Sequence, residues 1–307
     1  SGMVLDLNGH SITAQDAFDT ITVGDGVSFT LVDCKGGGES TNYGFVTHFK
    51  DPNNNTKPRV SGRGVMVSDG GHFIMYGGCV GPNQTTDAGA GVYVAEGGHF
   101  AMYGGEIAGN VEPATGGSTG GGIWTAGTTT IGGSATVTGN RAQAGGGVYV
   151  AGGTLTLEGS AIVKGNTANN TYGSGVFVGT NGQLCVSGNV QVTGNTYNSI
   201  VGNVYLEADS NKNIKAISVV GELTGSASIC LSLPNDVLNT INDSHSVTIA
   251  TADTEDTEGW IKSDSFTIDG WTKYAVNVTD DGKTAVLGPH IHQWVYTSSP
   301  DGTFIWA

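Results

Sequence analysis

Short stretches of alternating apolar and polar residues recur through the middle of the chain, and they recur in threes. The first kind reads Gly64-Val-Met-Val, Gly91-Val-Tyr-Val, Gly122-Ile-Trp-Thr, Gly147-Val-Tyr-Val, Gly175-Val-Phe-Val and Asn203-Val-Tyr-Leu. The second reads Phe73-Ile-Met-Tyr, Phe100-Ala-Met-Tyr, Thr129-Thr-Ile, Leu155-Thr-Leu and Leu184-Cys-Val. The third ends on Val80, Ile107, Val137, Val163 and Val192. All are short and rich in β-branched or aromatic residues with period two, which predicts strands. Three strands and three turns in every 25 to 31 residues describe one coil of a parallel β-helix stacked on copies of itself. The crossover rule for parallel strands makes the helix right-handed. The expected fold class is all-β: a right-handed parallel β-helix, three strands per coil, with a small C-terminal β cap or domain. Seven or eight coils at the interstrand spacing would give a rod of ~35–40 Å.

A column of asparagines keeps time with the strands. Asn83, Asn110, Asn140, Asn166 and Asn195 lie 27, 30, 26 and 29 residues apart. All but Asn83 close the same phrase, as in Ile107-Ala-Gly-Asn110 and Val192-Thr-Gly-Asn195. Stacked amides can hydrogen-bond along the column and satisfy a corner's backbone, so the reading is a structural ladder and not a ligand site. Gly and Asn also tolerate the left-handed backbone of tight corners.

The pattern divides the chain. Residues 1–233 read as the β-helix, with an irregular first coil at 1–35, an inserted loop at 36–62 and regular coils at 63–233. Long loops on solenoids often carry binding. After Leu233-Pro234 the repeat stops. A short helical pattern at Asn235–Ile241 and irregular strands make 234–288 a cap, which an exposed solenoid end needs. Residues 289–307 look like the start of a further module.

Composition changes the picture little. Fifty-two glycines would suggest disorder, but the periodic Val, Ile and Leu positions supply a continuous apolar stripe. A net charge of −15 with 12 basic residues disfavours nucleic acid and anionic membranes as partners. No stretch is long and apolar enough to span a membrane, so no membrane insertion by this segment is expected. No signal peptide is evident, and Ser1-Gly2-Met3 reads as a possible remnant, leaving the native start unknown. Cys34, Cys79, Cys185 and Cys230 are too scattered for a disulfide framework or a metal site, and read as structural thiols with a Cys34–Cys79 pair left open.

The Gly-Gly-Val-Tyr and Thr-Gly-Asn phrases resemble the repeats of bacterial β-helix surface proteins, the polymorphic outer-membrane proteins being the nearest named group. The opening Leu5-Asp-Leu-Asn-Gly-His-Ser-Ile12 resembles the first coil of adhesin-like, Gly-rich secreted proteins of Gram-positive bacteria, and His290-Ile-His-Gln-Trp294 resembles a module repeated in them. The resemblance covers about residues 4–233. It departs from the polymorphic group in placing Gly before Asn and in lacking an autotransporter barrel. It implies extracellular or cell-surface display and adhesion to a glycan or a host surface.

Parallel β-helices also carry lyase and glycosidase chemistry. A uronate lyase needs a base and cations that stabilise the developing charge. Between Gly64 and Asn203 the only cations are Arg141 and Lys164, on different coils, which argues against a lyase. A glycosidase needs two carboxylates. Asp69-Gly-Gly-His72 and Glu96-Gly-Gly-His99 occupy the same place on neighbouring coils, so Asp69 and Glu96 are the catalytic pair if this is an enzyme; the plainer reading is a repeated solvated turn. They lack further oxygens in phase for Ca²⁺. His290 and His292 alone do not make a metal site. No metal and no cofactor are expected.

The sharper feature is aromatic. The middle residues of the first strands are Met66, Tyr93, Trp124, Tyr149, Phe177 and Tyr205. If the flanking Val and Ile point inward, these point outward and form a ladder of aromatic faces on which sugar rings could stack. The expected ligand residues are Tyr93, Trp124, Tyr149, Phe177 and Tyr205, with Tyr76 and Tyr103 widening the patch. Coverage by residues 36–62 or by the C-terminal segment, or the opposite register, stays open at this point. The expected function is non-catalytic adhesion or glycan binding; a glycoside hydrolase is the alternative and a passive stalk the third.

Overall fold

The computed structural model describes residues 2–35, 43–48, 61–113, 117–169, 173–252, 259–268, 273–290, 296–298 and 304–306. It is a right-handed parallel β-helix. Each regular coil contributes a leading, a middle and a trailing strand, for example Val65–Val67, His72–Met75 and Cys79–Val80. Each pairs in parallel with its counterpart in the next coil: Met66 sits beside Tyr93, Phe73 beside Phe100 and Val80 beside Ile107. The parallel middle stack runs from Gly2–Asp6 through Ser28–Val32, His72–Met75, His99–Met102, Thr128–Ile131, Thr154–Leu157 and Gln183–Gly188 to Ile217–Leu223.

The period of two decides which side chains enter the core. Val65 and Val67, Val92 and Val94, Phe73 and Met75, and Phe100 and Met102 are all buried to 2% exposure or less. Stacking the same residue type coil upon coil continues the apolar column. Phe29, Phe73 and Phe100 stack inside the rod with ring centroids 5.9 and 5.1 Å apart. In the next coil Thr129 takes that place, and its hydroxyl is satisfied by Thr125 Oγ1 at 2.9 Å.

The leading and trailing stacks meet below. Ser228–Ser232 pairs through Ile229 with Val192 of the trailing stack and through Leu231 with Val204 of the leading stack, joining both into one sheet. The segment after Pro234 continues the rod. Val247–Thr251 adds in parallel to Ile217–Leu223, and Thr284–Pro289 and Tyr274–Val278 add antiparallel strands beyond it. Phe266–Ile268 pairs with Ser228–Ser232. Val237, Leu238, Ile249, Phe266 and Leu287 are part of the same apolar core as the coils. A short helix, Asn235–Leu238, accepts the Tyr274 hydroxyl on its Leu238 carbonyl at 3.0 Å. Reversing strand direction covers the open parallel edge, which is what a solenoid end requires. Residues 36–42 and 49–60 of the expected insertion lie outside the described residues.

Candidate functional site

The asparagine column is a continuous hydrogen-bonded ladder. Asn110 Oδ1 accepts from Asn83 N at 2.9 Å and Asn83 Nδ2 at 3.0 Å. Asn140, Asn166 and Asn195 repeat the arrangement at 2.9–3.0 Å. Each Nδ2 also donates to a carbonyl of the coil before, as Asn140 does to Ile107 at 2.9 Å. Every rung from Asn83 to Asn195 is at most 1% exposed. The column serves the fold and is closed to ligands.

The ladder explains why the asparagine and glycine phrases share one period. A Cβ on Gly122 would lie 2.9 Å from Asn140 Nδ2 and 2.5 Å from the Gly147 carbonyl. Gly147 stands in the same relation to Asn166, and Gly175 to Asn195. The sixth copy has Asn203 where the others have Gly, and its Oδ1 accepts from Asn195 N and Nδ2 at 3.0 Å. Asn203 is therefore the last rung. The sequence carried that signal in the break from Gly to Asn, but read as a strand phrase it went unnoticed. At the opposite end His48, which no repeat marks, takes the place of a rung: its Nδ1 lies 3.0 Å from Asn83 Oδ1.

The aromatic column lies on the outward face, as the alternation requires, but its rings are turned differently from the expectation. Tyr93 and Trp124 are parallel within 1° with centroids 4.6 Å apart. Phe177 lies between Tyr149 at 4.9 Å and Tyr205 at 5.1 Å. A centroid spacing near the interstrand spacing means that the rings cover one another's faces along the rod axis and turn their edges outward. Arg63 lies over the Tyr93 ring at 4.7 Å, held by Ala88 O at 2.8 Å and by Asp19 and Asp87 at 3.6 and 3.8 Å. Tyr93, Trp124, Tyr149 and Tyr205 are half-buried, and Phe177 is only 6% exposed, so Phe177 is corrected from ligand residue to packed residue. Gly120, Gly121 and Gly122 leave no approach for a partner: they lie against Trp124 Cβ, the Arg141 carbonyl and the Gly147 carbonyl.

The middle stack carries the more open aromatics. His72 and His99 stack at 4.5 Å, and Tyr76 and Tyr103 stack at 5.7 Å with 26° between planes. Tyr76 is 55% exposed and Tyr103 38%. In the following coil the chain offers Gly132. A Cβ there would lie 3.3 Å from Tyr103 Cδ1 and 3.0 Å from Glu158 Oε1, and Gly132 is buried, so Tyr103 and Glu158 close over it.

Asp69 and Glu96 do occupy equivalent turns and both are exposed. The Asp69 carboxylate lies against Gly97 of the next turn, and Asp25 lies likewise against Gly70. The glycine after each acid is favoured by its left-handed backbone, φ 68° at Gly70 and 74° at Gly97, and the carboxylate of the previous coil rests over it. Arg141 and Lys164 are exposed on neighbouring coils. Among the described residues no group of three or more His, Cys, Asp or Glu is placed to hold a metal. His290 is exposed, and His292 lies outside the described residues. No disulfide joins the four cysteines. Cys79 is buried, and burial followed by the charge of Glu106 pushes its thiol up to about 12.

One titratable group was missed by sequence reasoning. Glu112 is fully buried, accepts from Gly89 N at 3.0 Å through Oε1, and leaves Oε2 without a hydrogen-bond partner. Burial pushes its carboxyl up to about 8, against the opposing pull of the Gly89 amide and Arg63. Nothing in the surrounding Val111-Glu112-Pro113 distinguishes it from a solvated loop acid. With the geometry in view, the class of protein is plain, a parallel β-helix. Comparison with protein-family models, curated proteins and solved structures returned no match to the chain.

Proposed function

We propose that the chain is an extracellular, adhesin-like β-helix domain that binds a neutral or weakly charged glycan without catalysis. The observation that carries this reading is the stacked, exposed Tyr76–Tyr103 pair, with the Glu158 carboxylate beside Tyr103 as an acceptor. Four coils of regular parallel sheet hold these groups, so binding there costs little ordering of the protein. The half-buried edges of Tyr93, Trp124, Tyr149 and Tyr205 offer hydroxyls and an indole N–H on a second face, suited to hydrogen bonds more than to ring stacking. A net charge of −15 disfavours sulfated or sialylated ligands.

A neutral glycan array followed by calorimetry tests the proposal. Tyr103→Ala should weaken binding by about 1–3 kcal/mol. Binding that is unchanged in both Tyr103→Ala and Glu158→Gln would remove this face from consideration. Trp124→Ala then asks whether the second face is used. Release of reducing sugar, abolished by Asp69→Asn or Glu96→Gln, would replace this reading with the hydrolase; no binding and no turnover would leave the stalk.

A further inference from the structure

Only two asparagines in the sequence precede glycine, Asn8 and Asn181, and both are exposed in turns. Such a pair carries its own reaction. Glycine has no side chain, so its backbone nitrogen can close on the Cγ of the asparagine before it. The new C–N bond makes a succinimide ring, and the side-chain amide leaves as ammonia. Water then opens the ring at one carbonyl or the other, giving aspartate or isoaspartate. The glycine nitrogen must give up its proton and the turn must loosen. What each glycine N–H is bonded to therefore decides which pair reacts.

At Asn8 the fold guards the nitrogen. Gly9 N donates to Asp33 Oδ1 at 2.7 Å, and Asp33 is buried, with its Oδ2 accepting from Gly44 N at 2.6 Å. Removing the Gly9 proton would break a charge-assisted bond and set a nitrogen anion against a carboxylate. The flanking amides are held as well, Asn8 N by Asp6 Oδ1 at 2.9 Å and His10 N by Leu7 O at 2.8 Å. These bonds fix Asn8 at φ 46° and Gly9 at φ 77°, both in the left-handed region.

At Asn181 the reacting nitrogen is held only by its own turn. Gly182 N donates to Gly179 O at 2.8 Å, a neutral bond. The acid bonded to this turn, Glu207, is engaged at a different amide, its Oε2 accepting from Thr180 N at 3.1 Å. We propose that Asn181 is a spontaneous modification site that converts to aspartate and isoaspartate, while Asp33 shields Asn8. The product places a new carboxylate on a turn that already carries Glu207. In isoaspartate the main chain runs through the side-chain carbon and gains a methylene. That extra atom falls just before the strand Gln183–Gly188, whose Leu184 sits beside Leu155, so its effect is on the middle stack and not on the asparagine ladder.

The test incubates the folded full chain at mildly alkaline pH and follows each pair by peptide mass mapping, which reads the exchange of an amide for an acid at a named residue. Asn181 should convert at least about tenfold faster than Asn8, the difference between a charge-assisted hydrogen bond and a neutral one. In urea, where neither turn persists, the two rates should converge. Asp33→Asn keeps the shape and removes the charge, and should bring Asn8 towards the rate of Asn181. Equal rates in the folded wild-type chain, conversion of both pairs only in urea, or an Asn8 rate unchanged in folded Asp33→Asn overturns the proposal. If Asp33→Asn does not fold, amide hydrogen exchange in the wild-type chain decides: Gly9 should exchange at least about tenfold more slowly than Gly182, and equal exchange sinks the shielding argument.

Discussion

Replacing Asn140 by Ala probes the ladder at its centre. Asn140 is fully buried and takes part in four side-chain bonds: Oδ1 accepts from Asn110 N and Nδ2, and Nδ2 donates to Ile107 O and Asn166 Oδ1, all at 2.9–3.0 Å. Ala removes all four. The Asn110 N–H then has no acceptor, and a buried amide left in that state costs about 1–3 kcal/mol. The other three bonds contribute about 0.5–1.5 kcal/mol each, but Asn110 Nδ2 keeps Val80 O and Asn166 Oδ1 keeps the Asn140 N–H. A net loss of about 3 kcal/mol or more follows, a large share of a typical domain stability of about 5–15 kcal/mol. Asn140→Asp is the control that separates hydrogen bonding from volume. It has the same shape, but the oxygen that replaces Nδ2 would face Ile107 O and Asn166 Oδ1, so it should destabilise at least as much. Urea unfolding of both variants, with amide exchange at Asn110, is the assay. Variants within about 0.5 kcal/mol of wild type, a range ordinary for surface positions, would refute the reasoning.

Three further outcomes are expected. Glu112 has a folded value of about 8, raised above its ordinary 4.5, so the folded chain holds the proton more tightly than the unfolded chain. Its contribution is full below the unfolded value and is lost as pH rises towards and through 8; Glu112→Gln should remove that decline from a plot of unfolding free energy between pH 5 and 9, and a variant with the wild-type slope would exclude Glu112 as its source. Gly122→Ala should destabilise by about 2 kcal/mol or more because its Cβ meets the Gly147 carbonyl, whereas Gly24→Ala, with nothing within 4 Å, should lie within about 0.5 kcal/mol of wild type; equal denaturation midpoints would contradict the packing argument. Trp124→Ala should cost about 1–2 kcal/mol of stability through lost burial and ring stacking on Tyr93, and a melting curve identical to wild type would show that the stack contributes nothing.

Sequence alone determined the coil, because a β-helix repeats its chemistry at every turn. Period two sorted Val65, Phe73 and Val80 inward and Met66 outward, and the shared period of Asn140 and Gly122 announced a corner. Tertiary structure decided everything that depends on what lies one coil above or below. Ring orientation is one case: alternation sends Tyr93 and Trp124 outward, but only stacking across coils turns their faces from solvent to each other. The contact over Gly132 is another, since Tyr103 and Glu158, which close over it, come from the coils before and after it. His48 and Glu112 stand outside the repeat, so no periodicity could mark them. Their partners Asn83, Phe18 and Gly89 lie 23 to 35 positions away, and a one-dimensional pattern does not carry that information.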